Sequence, residues 1–234
     1  MKNPYDKKFY DRQKQGSRSS AGEIVPIVLQ LFHAESVIDI GCGVGTWLSI
    51  FKKHGIGDIL GLDGDYVDSG DLEIPKESFL AFDLCKPSNI GRKFDLVLCL
   101  EVAEHLSADV SDSLVDFLTN LGDVVIFSSA IPYQSGTSHV NEQWPDYWCK
   151  LFKNKKFEVF DCIRKRIWEN EKVEWWYAQN ILVFIREDCF KNYPQEKRDQ
   201  IISFTNVGQL SLVHPRCYVK RSLEKICKRF DLNE

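Results

Sequence analysis

The chain has 234 residues, 44% of them hydrophobic and 12% aromatic, enough to bury one sizeable core without disulfides or a second catalytic domain. A formal charge of −4 and a pI near 5.8 argue against a protein that grips long nucleic acid through many phosphates, and favour a small-molecule partner. No run approaches the roughly 18 apolar residues of a membrane span, the start has no signal-peptide core, and the eight cysteines contain no C-x-x-C pair, so a cytoplasmic protein without a zinc cluster is expected.

Residues 1–20 are polar and charged and read as an N-terminal segment. Ser19-Ser20-Ala21-Gly22-Glu23 has the form of a helix start, with Ser20 as amino cap and Glu23 completing a capping box. Ile24, Ile27, Val28, Leu31 and Phe32 then recur at helical spacing. Residues 36–47, Ser-Val-Ile-Asp-Ile-Gly-Cys-Gly-Val-Gly-Thr-Trp, run a β-branched strand straight into Gly41, Gly43 and Gly45, with a helix expected from Thr46. A nicotinamide dinucleotide fold wants G-x-G-x-x-G, but the third glycine here comes one residue early. The pattern suits a ligand with a cationic end instead, which Asp39 can steer, although glycine-rich turns also serve structural needs alone.

Further strands end in acids. Asp58 to Asp63 is the second, Phe79 to Asp83 the third, and Phe94 to Glu101 the fourth. Because ligands of open α/β sheets sit beyond the carboxyl ends of the strands, Asp63, Asp83 and Glu101 are expected to line one crevice around the glycines. A helix from about Ser107 to Asn120, a fifth strand over residues 123–129, a loop over 130–145, a helix near 146–154 and strands near 157–163 and 181–185 follow. The last two strands fit an antiparallel edge hairpin. The expected fold is α/β: a Rossmann-like, seven-stranded, mostly parallel sheet with helices on both faces, spanning residues 21–186, with residues 187–234 as a C-terminal appendage.

In motif order this chain resembles the class I S-adenosylmethionine-dependent methyltransferases over roughly residues 20–186. The resemblance implies that Asp39, Gly41, Gly43 and Gly45 hold the methionine part of S-adenosylmethionine, that Asp63 takes the ribose, and that Asp83 with Leu84 faces the adenine. It also implies that Leu100 and Glu101 border the methyl donor.

Two motifs carry candidate chemistry. In Glu101-Val-Ala-Glu104-His105, a helical turn would place Glu101, Glu104 and His105 on one face, and His139 of His139-Val-Asn141-Glu142-Gln143-Trp144 is a candidate fourth ligand for a divalent cation such as magnesium. The combination resembles the metal-dependent 2′-O-methyltransferases of small-RNA 3′ ends; the same E-x-x-E-H pattern also occurs without metal, with a histidine as base. On either reading His105, His139 and Glu142 are the candidate catalytic residues, acting on a hydroxyl of a diol or polyol.

Residues 133–180 are rich in aromatic and amphipathic side chains, among them Trp144, Tyr147, Trp148, Trp168, Trp175, Trp176 and Tyr177. Some must close the core and the rest suit a saccharide ring. The H-x-N-E-Q-W and W-Y-x-Q-N patterns resemble methyltransferases associated with bacterial surface-polysaccharide biosynthesis, which implies a sugar or nucleotide-sugar substrate, with Arg164 or Arg166 available for a phosphate or carboxylate. The rivals are an oxidoreductase, weakened by the glycine spacing and the lack of a Tyr-x-x-x-Lys dyad, and a catalytically silent cofactor-binding subunit.

Overall fold

The computed structural model describes residues 7–203 and 205–219; the chain's first six residues and the basic run Lys220 to Arg229 lie outside the described residues. Seven strands form one sheet: β1 (Ser36–Ile40), β2 (Asp58–Asp63), β3 (Phe79–Ala81), β4 (Leu96–Leu100), β5 (Val124–Ser128), β6 (Phe157–Phe160) and β7 (Leu182–Arg186). Their spatial order is β3-β2-β1-β4-β5-β7-β6, with β1 to β5 parallel and β7 antiparallel to both of its neighbours. The order reverses between β1 and β4, which opens the crevice of a doubly wound sheet at their carboxyl ends. The expected sheet and its antiparallel edge are what the chain forms.

The apolar runs explain the layers. Side chains alternate across a strand, so Val37 of β1 enters one core while Ile38 and Ile40 enter the other; on β4, Leu96, Leu98 and Leu100 face the first and Val97 and Cys99 the second. Helices α1 (Lys7–Leu31) and α2 (Thr46–Lys53) cover the first face, and α3 (Ser111–Leu121) and α4 (Pro145–Asn154) the second.

Local readings needed correction where tertiary contacts decide. The helix does not start at Ser20: α1 runs through it from Lys7, and the Ser20 hydroxyl donates to Gly16 O at 2.8 Å and accepts from Glu174 N at 3.0 Å. Glu23 closes no capping box, because its carboxylate accepts from Asn170 and Lys172 at 2.9 and 3.2 Å. The third strand stops at Ala81, leaving Asp83 in the following turn, and the helix after β4 begins at Ser111 because two 3-10 turns, Ala103–His105 and Ala108–Val110, come first.

Strands β6 and β7 are not joined by a tight turn. Two short helices, α5 (Arg164–Ile167) and α6 (Trp175–Asn180), stand between them. Since β7 runs antiparallel to β5, with Leu182 opposite Phe127, its first residues lie beside the carboxyl end of β5. The W-Y-x-Q-N pattern on α6 is thereby delivered to the crevice. Helices α7 (Glu187–Lys191) and α8 (Gln195–Ile202) follow, and Ile201, Leu210, His214 and Cys217 are all buried, so the described part of the C-terminal segment packs on the domain. Among the described residues no helix is long and apolar enough to cross a membrane.

Candidate active site

The glycine turn folds as its sequence asks. Gly41, Gly43 and Gly45 have φ of 77°, 54° and 81°, in the left-handed region that L side chains rarely adopt. A Cβ on Gly41 would lie 2.3 Å from Val102, whereas one on Gly43 would meet nothing within 4 Å, so Gly43 borders open space. Helix α2 begins at Thr46 with Gly45 as its cap residue.

Asp63, at the end of β2, is 6% exposed and supports this turn: its carboxylate accepts from Gly43 N at 2.6 Å, Gly64 N at 2.7 Å and Tyr66 Oη at 2.5 Å. Asp39 lies beneath the turn, and burial, with Asp63 nearby, pushes its carboxyl up to about 8. A buried acid of this kind is set to receive a cationic group. Asp83 is exposed, and its carboxylate accepts from Cys85 N at 2.9 Å; Leu84 is half-buried against the second core, and Leu100 closes β4 at 8% exposure. A cofactor with a cationic end and a ribose therefore finds a cradle in which Asp39, the glycines and Asp63 are adjacent.

Beyond β4 the chain does not form the single helical face expected for Glu101, Glu104 and His105. Glu101 has φ 56°, which breaks any helix at that residue, and the 3-10 turn begins only at Ala103. The Glu101 carboxylate turns to the amides of Asn180 (3.1 Å) and Gln134 (3.3 Å), while burial lifts its pKa to about 7 against the pull of those hydrogen bonds. Glu104, His105 and His139 do come together: one ligand atom of each lies within 4.8 Å of the others, the only such group among the described residues. Glu101 is outside it.

The H-x-N-E-Q-W motif builds this cluster. Val140 N and Asn141 N both donate to Glu104 O, at 2.8 and 3.1 Å, which pins the loop onto the 3-10 turn. The Asn141 side chain donates to Ser111 Oγ at 3.0 Å and is itself held by Gln143 at 3.0 Å. His139 then stacks edge-on to His105 with ring centroids 5.0 Å apart. Glu142 takes Nδ1 of His139 at 3.0 Å and Tyr133 N at 2.8 Å, so it orients the imidazole and leaves Nε2 as the remaining ring nitrogen. His105 is held below its ordinary pKa by burial and by His139, and so is neutral at pH 7.

Glu104 is fully buried and neither carboxylate oxygen makes a well-formed hydrogen bond. Burial, with the charge of Glu101 added, pushes its pKa well above the carboxylate range. An ionised carboxylate in this position costs several kcal/mol unless a cation meets it, so this donor set fits a divalent ion.

Not every expected site residue reaches the crevice. Arg164 is 1% exposed and fully engaged: it pairs with both Asp161 oxygens at 2.9 and 2.7 Å and donates to Gln179 O and Leu210 O. It is a structural cation, unable to meet a ligand, and Arg166 points instead to Gln30 of α1 at 3.5 Å. Of the aromatic residues, Trp148, Trp175 and Tyr177 are core, while Trp144 is 39% and Tyr133 70% exposed beside the His139 loop. Gln134 and Asn180 bond Glu101, and Gln179 bonds both of them; Gln179 and Asn180 are marked in the sequence by the W-Y-x-Q-N pattern, whereas Gln134 carries no local signal.

Comparison with known proteins bears on the family and the fold. A family model described as a methyltransferase domain matches residues 11–170. No curated protein matches the sequence. Among solved structures, magnesium protoporphyrin IX methyltransferase from Synechocystis PCC 6803 with bound S-adenosylhomocysteine superposes at TM-score 0.54 with 19% identity, over 80% of this chain and 90% of that one. An amino pentose methyltransferase from Micromonospora echinaspora with bound S-adenosylmethionine gives TM-score 0.56 at 14% identity, over 80% and 99%. The methyltransferase domain of a bacterial Hen1 gives 0.52 at 20%, over 71% and 98%.

Proposed function

The chain belongs to the class I S-adenosylmethionine-dependent methyltransferases, and from that premise we propose that it methylates a hydroxyl oxygen of a small polyhydroxylated acceptor, a sugar or nucleotide-sugar of polysaccharide biosynthesis. The observation that carries this reading is the cluster of Glu104, His105 and oriented His139 beside the cofactor crevice. S-adenosylmethionine, when bound, supplies a methyl group already activated on a sulfonium, so the protein's task is to position an acceptor and remove its proton. Asp39 and the glycine turn receive the methionine end, and Asp63 the ribose hydroxyls. With no metal bound, His139 Nε2 takes the acceptor proton, its imidazole held by Glu142, and neutral His105 is available beside it. Tyr133 and Trp144 offer exposed aromatic faces at the rim, which suit a sugar ring.

Glu104, His105 and His139 would hold a divalent cation, which when bound lowers the pKa of a chelated hydroxyl. With one carboxylate and two imidazoles the donors favour a transition-metal ion over magnesium, which prefers an all-oxygen shell. The same cluster also supports methylation of the terminal ribose diol of an RNA, a reading that the net charge of −4 disfavours.

The test is formation of S-adenosylhomocysteine by purified protein with nucleotide-sugars, with analogues lacking one hydroxyl of a vicinal pair, and with a short RNA bearing a 3′ diol. Each is run after chelation and again with manganese or magnesium restored. Turnover of a nucleotide-sugar but not its deoxy analogue is expected. Turnover of the RNA alone would transfer the reading to the ribose diol, and cofactor binding without any turnover would make the chain a silent subunit.

Cofactor binding should depend on pH. Asp39 binds a proton up to about pH 8 in the folded protein, whereas a cationic ligand favours its ionised form. Affinity for S-adenosylmethionine is therefore expected to rise by up to about tenfold per pH unit between pH 6 and 8 and then level off, with proton release measurable by calorimetry in buffers of different ionisation enthalpy. An Asp39→Asn variant should bind weakly at every pH, with no slope from this group. The sign for stability is opposite: the folded state holds this proton where the unfolded chain does not, so Asp39 lowers the stability of the ligand-free protein as pH rises from about 4 to 8.

A further inference from the structure

S-adenosylmethionine brings three charges to the crevice: a sulfonium, an α-ammonium and an α-carboxylate. The charged side chains of the cradle described so far, Asp39, Asp63 and Glu101, are all acids, which suit the two cations and repel the carboxylate. The glycine turn offers the carboxylate little either. Gly41 N and Cys42 N donate to Leu62 O at 2.8 and 3.1 Å, Gly45 N to Cys42 O at 2.9 Å and Gly43 N to Asp63 at 2.6 Å, so these four N–H groups are already engaged. The carboxylate therefore calls for a cation from outside the turn.

Helix α1 brings one there. It is fastened to the segment that leads into α6: Ser19 Oγ donates to Lys172 O at 2.7 Å, Ser20 Oγ accepts from Glu174 N at 3.0 Å, and Ser17 Oγ meets Tyr177 Oη at 3.2 Å. Tyr177 in turn stands edge-on to Trp47, in the first turn of α2, with ring centroids 5.2 Å apart. Arg18, next to Ser17, pairs with Glu73. Glu73 is itself tied to the glycine turn and to α2, because its N–H donates to Val44 O at 2.8 Å and its Oε2 accepts from Ser49 Oγ at 3.4 Å. Residues 17 and 18 thus straddle the start of α2, the end of the helix at which the methionine part of the cofactor is received. The Arg18 side chain is 42% exposed and meets Glu73 through Nη2, so its five-donor fork retains N–H groups for a second carboxylate.

We propose that Arg18 binds the α-carboxylate of S-adenosylmethionine, held beside the start of α2 by Ser17 and Glu73, and that α1 is thereby part of the cofactor site. The inference rests on the reading of the crevice as the S-adenosylmethionine site. Asp39 then meets the cationic end and Arg18 the anionic end of the same amino acid group, so the two ends are recognised by opposite charges from two separate elements.

The probe is decarboxylated S-adenosylmethionine, which keeps the sulfonium, the amine, the ribose and the adenine. Calorimetry compares it with S-adenosylmethionine on wild type, Arg18→Gln, Arg18→Lys and Glu73→Gln. Wild type is expected to prefer S-adenosylmethionine by about tenfold or more, the usual contribution of a hydrogen bond between charged groups. Arg18→Gln should lose about tenfold or more for S-adenosylmethionine and less than about twofold for the decarboxylated form, so that the preference disappears. Arg18→Lys, which keeps the charge but not the fork, should restore part of the preference. Glu73→Gln breaks the ion pair and leaves the guanidinium, and should keep S-adenosylmethionine affinity within about threefold or raise it. An Arg18→Gln protein with wild-type circular dichroism that loses affinity for both ligands alike, or for neither, would overturn the assignment. Equal losses of S-adenosylmethionine affinity in Glu73→Gln and Arg18→Gln would overturn it too, by making the ion pair a structural latch. Wild-type protein that binds neither ligand would instead overturn the cofactor reading, and the assignment with it.

Discussion

Replacing His139 with Ala is expected to lower the rate of methyl transfer by about 10² to 10⁴, the usual contribution of a positioned general base, with S-adenosylmethionine affinity changed by less than about twofold. The separation follows from the geometry. His139 sits on the 130–145 loop, oriented by Glu142 and pinned through Val140 and Asn141 to Glu104 O, whereas the cofactor cradle lies on the β1 and β2 side of the crevice. Single-turnover rates and calorimetry on the same preparation read the two quantities. Gly136→Ala should reproduce much of the loss, because a Cβ at Gly136 would come 2.2 Å from His139 Nε2 and must displace the ring. Full activity in His139→Ala would remove the loop from the chemistry.

Replacing Asp63 with Ala should weaken S-adenosylmethionine binding by about 100-fold or more, since two hydrogen bonds from ribose hydroxyls to a carboxylate contribute about 1.5–3 kcal/mol each. Two losses coincide. The ribose loses its acceptor, and the glycine turn loses the group that takes the N–H of Gly43 at 2.6 Å and of Gly64 at 2.7 Å. Asp63→Asn retains one acceptor oxygen and should fall between the two. Tyr66, 76% exposed, donates to one oxygen of the Asp63 carboxylate and so competes with any other donor to it, so Tyr66→Phe is expected to leave affinity unchanged or raise it. Calorimetry on the four proteins checks the series, and equal affinity in Asp63→Ala and wild type would remove Asp63 from the ribose site.

What was legible in the sequence was legible for local physical reasons. Strands β1, β4 and β5 are continuous apolar runs because both of their faces are buried, and Gly41, Gly43 and Gly45 mark a left-handed backbone that L side chains rarely adopt. Acids at strand ends fall beside one another in a parallel sheet, so chain order alone placed Asp63 and Glu101 near the glycines.

The sequence by itself determined the α/β class, the positions of the strands along the chain and the glycine turn, because these follow from side-chain period and glycine spacing within short windows. Only the tertiary structure decided what depends on residues far apart in the chain. Ser20 looks like a cap until Glu174 is packed against it, and Arg164 looks like an anion binder until Asp161, Gln179 and Leu210 have taken its donors. Glu101 reads as one face with Glu104 and His105 until, at a left-handed φ and with its N–H donating to Ser128 O on β5, it turns to Asn180 and Gln134. Hydrogen-bond partners of buried polar groups are fixed by proximity in the folded state, and no local pattern encodes them.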